Sequence, residues 1–260
     1  MSAEPDPVSG FMLAAGRQLE YAWQGGSVAG PVVVMLHEGL GSVSMWRDFP
    51  SRLSAATGAR VLVYSRYGHG RSAALESPRT PQYLHEEALE SLPELLDRLG
   101  VTSPVLFGHS DGASIALIHA AAAGRPVAAI VALAPHVKVE DLSVASIRKA
   151  REAYLSGELR ERLERHHEHV DAMFWGWNDI WLADAFRSWN IEALLPQIAC
   201  PILAIQGLDD EYGTLGQIES IARAVPRTRL LELAGCRHSP HRDQPAAVLR
   251  ATAEFMGSLG

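Results

Sequence analysis

The stretch Val101–Ser114, VTSPVLFGHSDGAS, decides the fold. An apolar run ends in Gly108-His109-Ser110-Asp111-Gly112, and an alanine-rich segment follows as far as Gly124. G-x-S-x-G between a predicted strand and a predicted helix describes a sharp elbow that pushes a serine clear of a sheet. Glycine is needed at 108 and 112 because a side chain at either would collide with neighbouring backbone. Ser110 then stands at the positive end of the following helix. The five residues alone also fit a strand–helix turn with an incidental serine; the flanking strand and helix favour the elbow.

Outward from this point, short apolar runs alternate with longer helical patterns. Phe11–Gly25 reads as a strand pair turning at Gly16. Pro31–Gly39, Ala59–Tyr67, Val127–Pro135 and the runs CPILAIQG and TRLLELAGC read as strands, β-branched and continuous as expected when both faces are buried. Ser44–Gly58, Thr80–Gly100, the segment after Ser110, Thr214–Val225 and the C-terminal DQPAAVLRATAEFMGSL read as helices, with Pro50 and Pro93 as irregularities. The alternation predicts an α/β fold: a mostly parallel eight-stranded sheet with helices on both faces. The rhythm breaks once. Residues 139–196 carry no strand signal, and four of the six tryptophans fall there: Trp175, Trp177, Trp181 and Trp189. The expected organisation is a core of 1–138 and 197–260 with a helical cap of 139–196 inserted over one end of the sheet.

With 260 residues, 47% of them hydrophobic and 20% charged, the chain suits one sizeable core. A net charge of −7 and the lack of a basic run argue against nucleic acid and anionic membranes as partners. Two cysteines make neither a disulfide framework nor a zinc site, which suggests a reducing cytoplasm. The start, MSAEPDPVSG, lacks the basic and apolar regions of a signal peptide, and no apolar run approaches a membrane span.

A serine hydroxyl is a poor nucleophile until a base takes its proton, and the base needs an orienting carboxylate. In this architecture the chain order is serine, acid, histidine. Asp209, Asp210 and Glu211 follow one late strand; His238 and His241 follow the last. On LHEGLGS, SRYGHGRS, GHSDG, GLDDEY and GCRHSPH, the chain resembles the α/β-hydrolase superfamily from about Phe11 to its end. The resemblance implies Ser110 as nucleophile, Asp210 (last residue of G-x-x-D) as acid and His238 as base, although Arg237 replaces a common glycine. An alternative family position for the acid, here Ala134-Pro135-His136, holds no carboxylate. His241 is the second candidate base, against a plain reading as a surface residue.

The family also binds the oxyanion of the tetrahedral intermediate with two backbone N–H groups, one from the residue after the nucleophile, here Asp111. The other comes from H-G-x after the third strand, which aligns with Gly39. Glu38 replaces the usual glycine, which leaves Leu40 as the alternative donor. Asp111 and Glu38 place two carboxylates beside this hole. Either both point away, Asp111 capping its helix, or one binds a cationic or hydroxyl-bearing substrate group or pairs with Arg66 or Arg71. Glu38, Leu40, His109, Trp175, Trp177 and Trp181 are the candidate substrate contacts, with Met173 and Phe174 as further pocket candidates. His166, His167, Glu168 and His169 resemble a metal cluster, but the Arg- and Glu-rich surroundings favour a solvated face. Gly39, Gly41, Gly68 and Gly70 do not form a dinucleotide fingerprint.

These readings imply a serine hydrolase of small carboxylic esters or thioesters, with no cofactor and no metal. Its partner is a small acyl substrate, and a homodimer is left open. A carbon–carbon hydrolase or lyase with the same triad, and a low-turnover binding protein of the same fold, are the alternatives. Dehalogenase or epoxide hydrolase relatives carry aspartate where Ser110 stands.

Overall fold

The structure is a computed structural model that describes residues 9–26 and 30–259. Most of the amino-terminal stretch read above for a signal peptide lies outside the described residues. β1 (Ser9–Ala14) and β2 (Arg17–Gln24) form the expected hairpin about Gly16. β3 (Val32–Leu36), β4 (Arg60–Tyr64), β5 (Val105–His109), β6 (Ala129–Leu133), β7 (Ile202–Gly207) and β8 (Thr228–Leu233) join them. They make one sheet of eight strands in the order β1-β2-β4-β3-β5-β6-β7-β8. β1–β2 and β2–β4 pair antiparallel; every other neighbour pairs parallel.

Period-two alternation sorts the strand residues between two cores. Val33, Met35, Val61, Val63, Val105 and Phe107 face one side, where α1 (Phe49–Thr57) and α10 (Pro245–Gly257) bring Phe49, Leu53, Val248 and Phe255. Val34, Leu36, Leu62 and Leu106 face the other, covered by α4 (Asp111–Ala122) and α8 (Gly216–Ala224) among others. The two prolines act as their chemistry requires. Pro50 sits in the first turn of α1, where its missing N–H removes no helical bond, and a 3₁₀ turn at Val43–Trp46 precedes it. The helix expected over Thr80–Gly100 begins as α2 (Tyr83–Glu86) and widens into a π turn at Glu87–Ser91. It then resumes as α3 (Leu92–Arg98), carrying Pro93.

Between β6 and β7 lie α5 (Asp141–Leu155), α6 (Glu158–Leu163) and α7 (Val170–Leu182), then two 3₁₀ turns. An antiparallel bridge between Lys138 and Asn190 closes the base of this insertion. Val139 N–H donates to the Trp189 carbonyl and Ile191 N–H to the Val137 carbonyl beside it. Trp177, Trp181 and Phe186 of the insertion share one apolar cluster with Val34, Leu36 and Ile130 of the sheet, so they have no separate core. No helix among the described residues is long and apolar enough to cross a membrane.

From β3 the chain moves to β4 on one side and then to β5 on the other. The carboxyl ends of β3 and β5 therefore flank a topological switch point, where open α/β sheets form their crevice. The approach there is tight. A Cβ on Gly108 would strike the Gly112 carbonyl and Ala113, and one on Gly112 would strike the Leu36 carbonyl of β3. Gly112→Ala is expected to cost about 2–3 kcal/mol in urea unfolding or to prevent soluble expression. Gly257→Ala, with open space around it, should change stability little.

Candidate active site

Ser110 has φ +53° and ψ −118°, a conformation that costs an L-residue about 1–3 kcal/mol. Flanking bonds hold it there. Its N–H donates to the Leu133 carbonyl of β6 at 2.9 Å, and its carbonyl accepts from Ala113 and Ser114 at 2.9 and 3.1 Å. The hydroxyl Oγ lies 3.0 Å from His238 Nε2. His238 Nδ1 lies 2.9 and 3.0 Å from the two Asp210 oxygens. A carboxylate only accepts, so Nδ1 carries the proton and Nε2 is left to accept from the serine. Asp210 also accepts from the Gln206 amide at 3.0 Å and from the N–H groups of Tyr212 and Gly213 at 2.8 and 3.2 Å. Burial pushes its carboxyl pKa up, but His238 and the Tyr212 N–H outweigh that and hold it below the ordinary value.

His109 is the first of two histidines that support this arrangement. Its Nε2–H donates to the His238 carbonyl at 2.7 Å and so fixes the loop that presents the imidazole. His241 is not the surface residue expected from the sequence. It is buried, with its ring 4.8 Å from those of both Trp46 and His109, and no hydrogen bond links it to Ser110. The Ser-Pro-His-Arg segment turns into the short helix α9 (Pro240–Asp243), which directs this imidazole into the core instead of towards solvent.

The loop after β3 is organised by Arg66, whose side chain is fully buried. Arg66 N–H donates to His37 Nε2 at 3.0 Å, so His37 carries its proton on Nδ1 and donates to the Glu38 carbonyl at 2.7 Å. That carbonyl also accepts from Arg66 Nη2 at 2.8 Å and from the Gly41 N–H at 3.0 Å. Three donors turn it inward. A trans peptide sets its N–H opposite its carbonyl, so the Gly39 N–H faces the other way, towards the cavity that Gly39 lines. Trp177 packs so closely on Gly39 that any Cβ there would overlap its indole.

Asp111 is the first residue of α4 and does not cap it through its side chain. The buried carboxylate accepts from the Tyr83 hydroxyl at 2.7 Å and lies 3.6 Å from Arg66 Nη2. Tyr83 in turn accepts from Trp181 Nε1 at 2.9 Å. Of the sequence alternatives, pairing with Arg66 is the one observed; Arg71 instead meets Glu168 on the surface. Glu38 Oε2 lies 3.5 Å from His109 Nδ1 and Oε1 3.9 Å from Arg242. Burial raises the Glu38 pKa, but His109 and Arg242 outweigh that and hold it well below the ordinary value.

A cavity of about 320 Å³ opens above Ser110. Glu38, Leu40, His109, Trp177 and Trp181 line it, as expected of substrate contacts. Trp175 does not; its indole packs edge-on to Tyr154 and Phe174 beneath Arg151. On a helix, positions four apart such as 177 and 181 share a face, whereas 175, two before 177, falls on the opposite side. Met173 and Phe174 are buried in the insertion and not in the cavity wall. The histidine cluster is also not a solvated face throughout. His167 is buried, accepting from the Gly70 N–H at 2.9 Å and donating from Nε2 to the Leu40 carbonyl at 3.0 Å. His166 Nδ1 bonds Ser44 Oγ at 2.8 Å. The helical period alone offered no signal for these contacts, because both partners lie far along the chain.

A family model described as the alpha/beta hydrolase family matches residues 33–251. The chain belongs to the alpha/beta hydrolase family. This alpha/beta hydrolase is 23% identical over 265 residues to the mouse (Mus musculus) sn-1-specific diacylglycerol lipase ABHD11, covering 92% of this chain and 85% of that protein. Its fold is similar to that of a bacterial membrane phospholipase A, with TM-score 0.80, 17% identity and coverage of 97% and 86%. It is also similar to the enol-lactonase from Burkholderia xenovorans LB400, with TM-score 0.77, 22% identity and coverage of 95% and 100%.

Two predictions concern the framework of the site. Arg66→Met should cost about 3–5 kcal/mol because it leaves the Asp111 carboxylate buried without its cation. Adding Asp111→Asn should recover part of that loss in a double-mutant cycle by urea unfolding; strict additivity would mean the two groups do not interact. The second concerns acid. Burial, above all, lowers the His167 pKa to about 4, and it likewise lowers those of His37, His69 and His241. Unfolding returns these groups to about 6.5, where the unfolded chain binds more protons. The stabilisation is thus complete above pH 6.5 and is lost as pH falls towards 4, with His167 alone accounting for about 3 kcal/mol. Urea midpoints measured from pH 7.5 to 4.5 should fall steadily, and a flat profile would contradict the neutral buried imidazoles.

Proposed function

We propose that this alpha/beta hydrolase cleaves small carboxylic esters or thioesters through an acyl-enzyme on Ser110. The observation that carries this reading is the 3.0 Å approach of the strained Ser110 hydroxyl to His238 Nε2, with Asp210 on the opposite ring nitrogen. In the proposed cycle His238 takes the serine proton as Oγ adds to the carbonyl carbon. The Gly39 and Asp111 N–H groups hold the oxyanion. The bond to the leaving oxygen or sulfur then breaks, and His238 returns the proton to the leaving group. A water molecule, deprotonated by His238, adds to the acyl carbon and releases the acid and free Ser110. Asp210 keeps the imidazole in the tautomer that accepts from serine. We assign the helical insertion of 139–196 the part of a cap that roofs the acyl group through Trp177 and Trp181. Cys200 and Cys236 are both free and buried, which suits the reducing cytoplasm proposed for the enzyme.

Ser110→Ala should lower kcat for p-nitrophenyl butyrate by several orders of magnitude, on the order of 10⁶ where a triad nucleophile is removed. Full activity in that variant would refute the assignment. Arg66→Lys keeps the charge but loses the Nη2 that reaches both the Glu38 carbonyl and the Asp111 carboxylate. Its kcat should fall about ten- to a hundredfold with KM little changed, as expected when oxyanion donors are misaligned.

A further inference from the structure

The walls of the cavity and its mouth differ in charge. Near Ser110 the carboxylates are internally matched: Asp111 to Arg66, and Glu38 to Arg242 and His109. At the mouth stand four exposed arginines drawn from three separate parts of the chain. Arg47 follows the 3₁₀ turn after β3, Arg162 and Arg165 come from the end of α6 and the turn after it, and Arg242 lies on α9. All four line the same cavity as Ser110. Only Arg242 has a carboxylate within 4 Å among the described residues, and its Nη2 also donates to the Met45 carbonyl at 3.2 Å. The side chains of Arg47, Arg162 and Arg165 have no hydrogen-bond or acid partner among the described residues. In a chain of net charge −7, this places uncompensated positive charge at the entrance to the nucleophile.

Two observations indicate that the cluster is built and not incidental. Arg47 has φ +54° and ψ −124°, a backbone conformation that L-residues rarely adopt and that turns this residue out of the preceding 3₁₀ turn. His166 lines the same cavity as the four. Its pKa is lowered by burial first and then by Arg47, Arg242 and Arg165.

We propose that this arginine-lined mouth binds a phosphate-bearing leaving group, so that the preferred substrate is the short-chain acyl ester or thioester of a phosphorylated alcohol or thiol. The argument rests on the acyl-enzyme reading above. In that cycle the acyl carbon stays on Ser110 beneath Trp177 and Trp181, while the alcohol or thiol departs through the mouth. A group held by the rim therefore belongs to the leaving portion. A single carboxylate brings one negative charge and would leave most of the charge of the cluster unmatched. Phosphate groups, with two charges at neutral pH and several acceptor oxygens, match three or four. The cavity of about 320 Å³ suits a short acyl chain, with the bulk of a phosphorylated leaving group outside it. Attack by Oγ breaks the acyl C–O or C–S bond, the leaving atom takes the proton from His238, and water completes hydrolysis, with no redox change.

The test compares matched substrates: butyryl-coenzyme A against S-butyryl-pantetheine, and butyryl-glycerol 3-phosphate against monobutyrin. At low salt the wild-type protein should favour at least one phosphorylated member by about tenfold or more in kcat/KM, and whichever pair shows it identifies a thiol or an alcohol source. The preference should shrink with added salt. The double variant Arg162→Ala/Arg165→Ala should reduce kcat/KM for that phosphorylated substrate about tenfold more than for its neutral partner. Circular dichroism melting checks that the variant is folded, and the single variant Arg47→Asn provides an independent measure from another segment. Equal rates within both pairs in the wild type, or equal losses on both members in the variants, would overturn the proposal. If p-nitrophenyl butyrate is hydrolysed by wild type but not by Ser110→Ala while no phosphate preference is seen, only this inference fails. If Ser110→Ala retains activity, the serine reading fails with it.

Discussion

The buried guanidinium of Arg66 ties the Glu38 carbonyl of the loop after β3 to the carboxylate of Asp111 at the start of α4. One side of its planar fork holds the Glu38 carbonyl, and with it the direction of the Gly39 N–H. The same nitrogen approaches the carboxylate of Asp111, whose own N–H begins α4. A buried charge is costly unless matched, and here the match is made by the residues whose peptide groups are needed. Loss of the guanidinium would strand a carboxylate and free a loop in one step. Two carboxylates this close to Ser110 look unfavourable in the sequence, but each has an arginine within 4 Å: Arg66 beside Asp111 and Arg242 beside Glu38.

The sheet supplies the other half of the geometry. β3 and β5 end side by side at the switch point, and glycines at 108 and 112 let α4 begin against the Leu36 carbonyl. The strain at Ser110 is held by bonds to β6 and to the first turn of α4. The insertion reaches this point through Trp177 against Gly39, Trp181 through Tyr83 to Asp111, and His167 to Leu40. The insertion and the loop after β3 are thus packed against each other.

Much of this was legible in the sequence because it follows local periodicity. The strand runs, the hairpin at Gly16, the elbow and the break in rhythm after β6 all depend on neighbours within a few residues. Resemblance singled out Ser110, Asp210 and His238, which the structure brings within hydrogen-bond reach of one another. What was not legible depends on contacts across long separations. His241 reads as surface from its neighbours, yet α9 turns it onto Trp46 and His109. Trp175 reads as equivalent to Trp177 by composition, yet the helix places it on the opposite side. Asp111 suits a helix cap by its position, but Tyr83 and Arg66, which claim its carboxylate, are 28 and 45 residues away in the chain. His167, Gln206 and the arginines of the mouth carried no local mark, because their partners come from other elements.

The bond from His167 to the Leu40 carbonyl also imposes an order in time. It spans 127 residues, so at a synthesis rate of about 5–20 residues per second the loop after β3 waits roughly 6–25 s for this partner. During that interval the Leu40 carbonyl and the Gly70 N–H have only water to bond. The nascent chain can form the hairpin and the first parallel pairs, but the loop that faces the serine takes its final shape only after the insertion has left the ribosome. A half-made chain therefore carries the strand–helix elbow at Ser110 without a finished pocket around it.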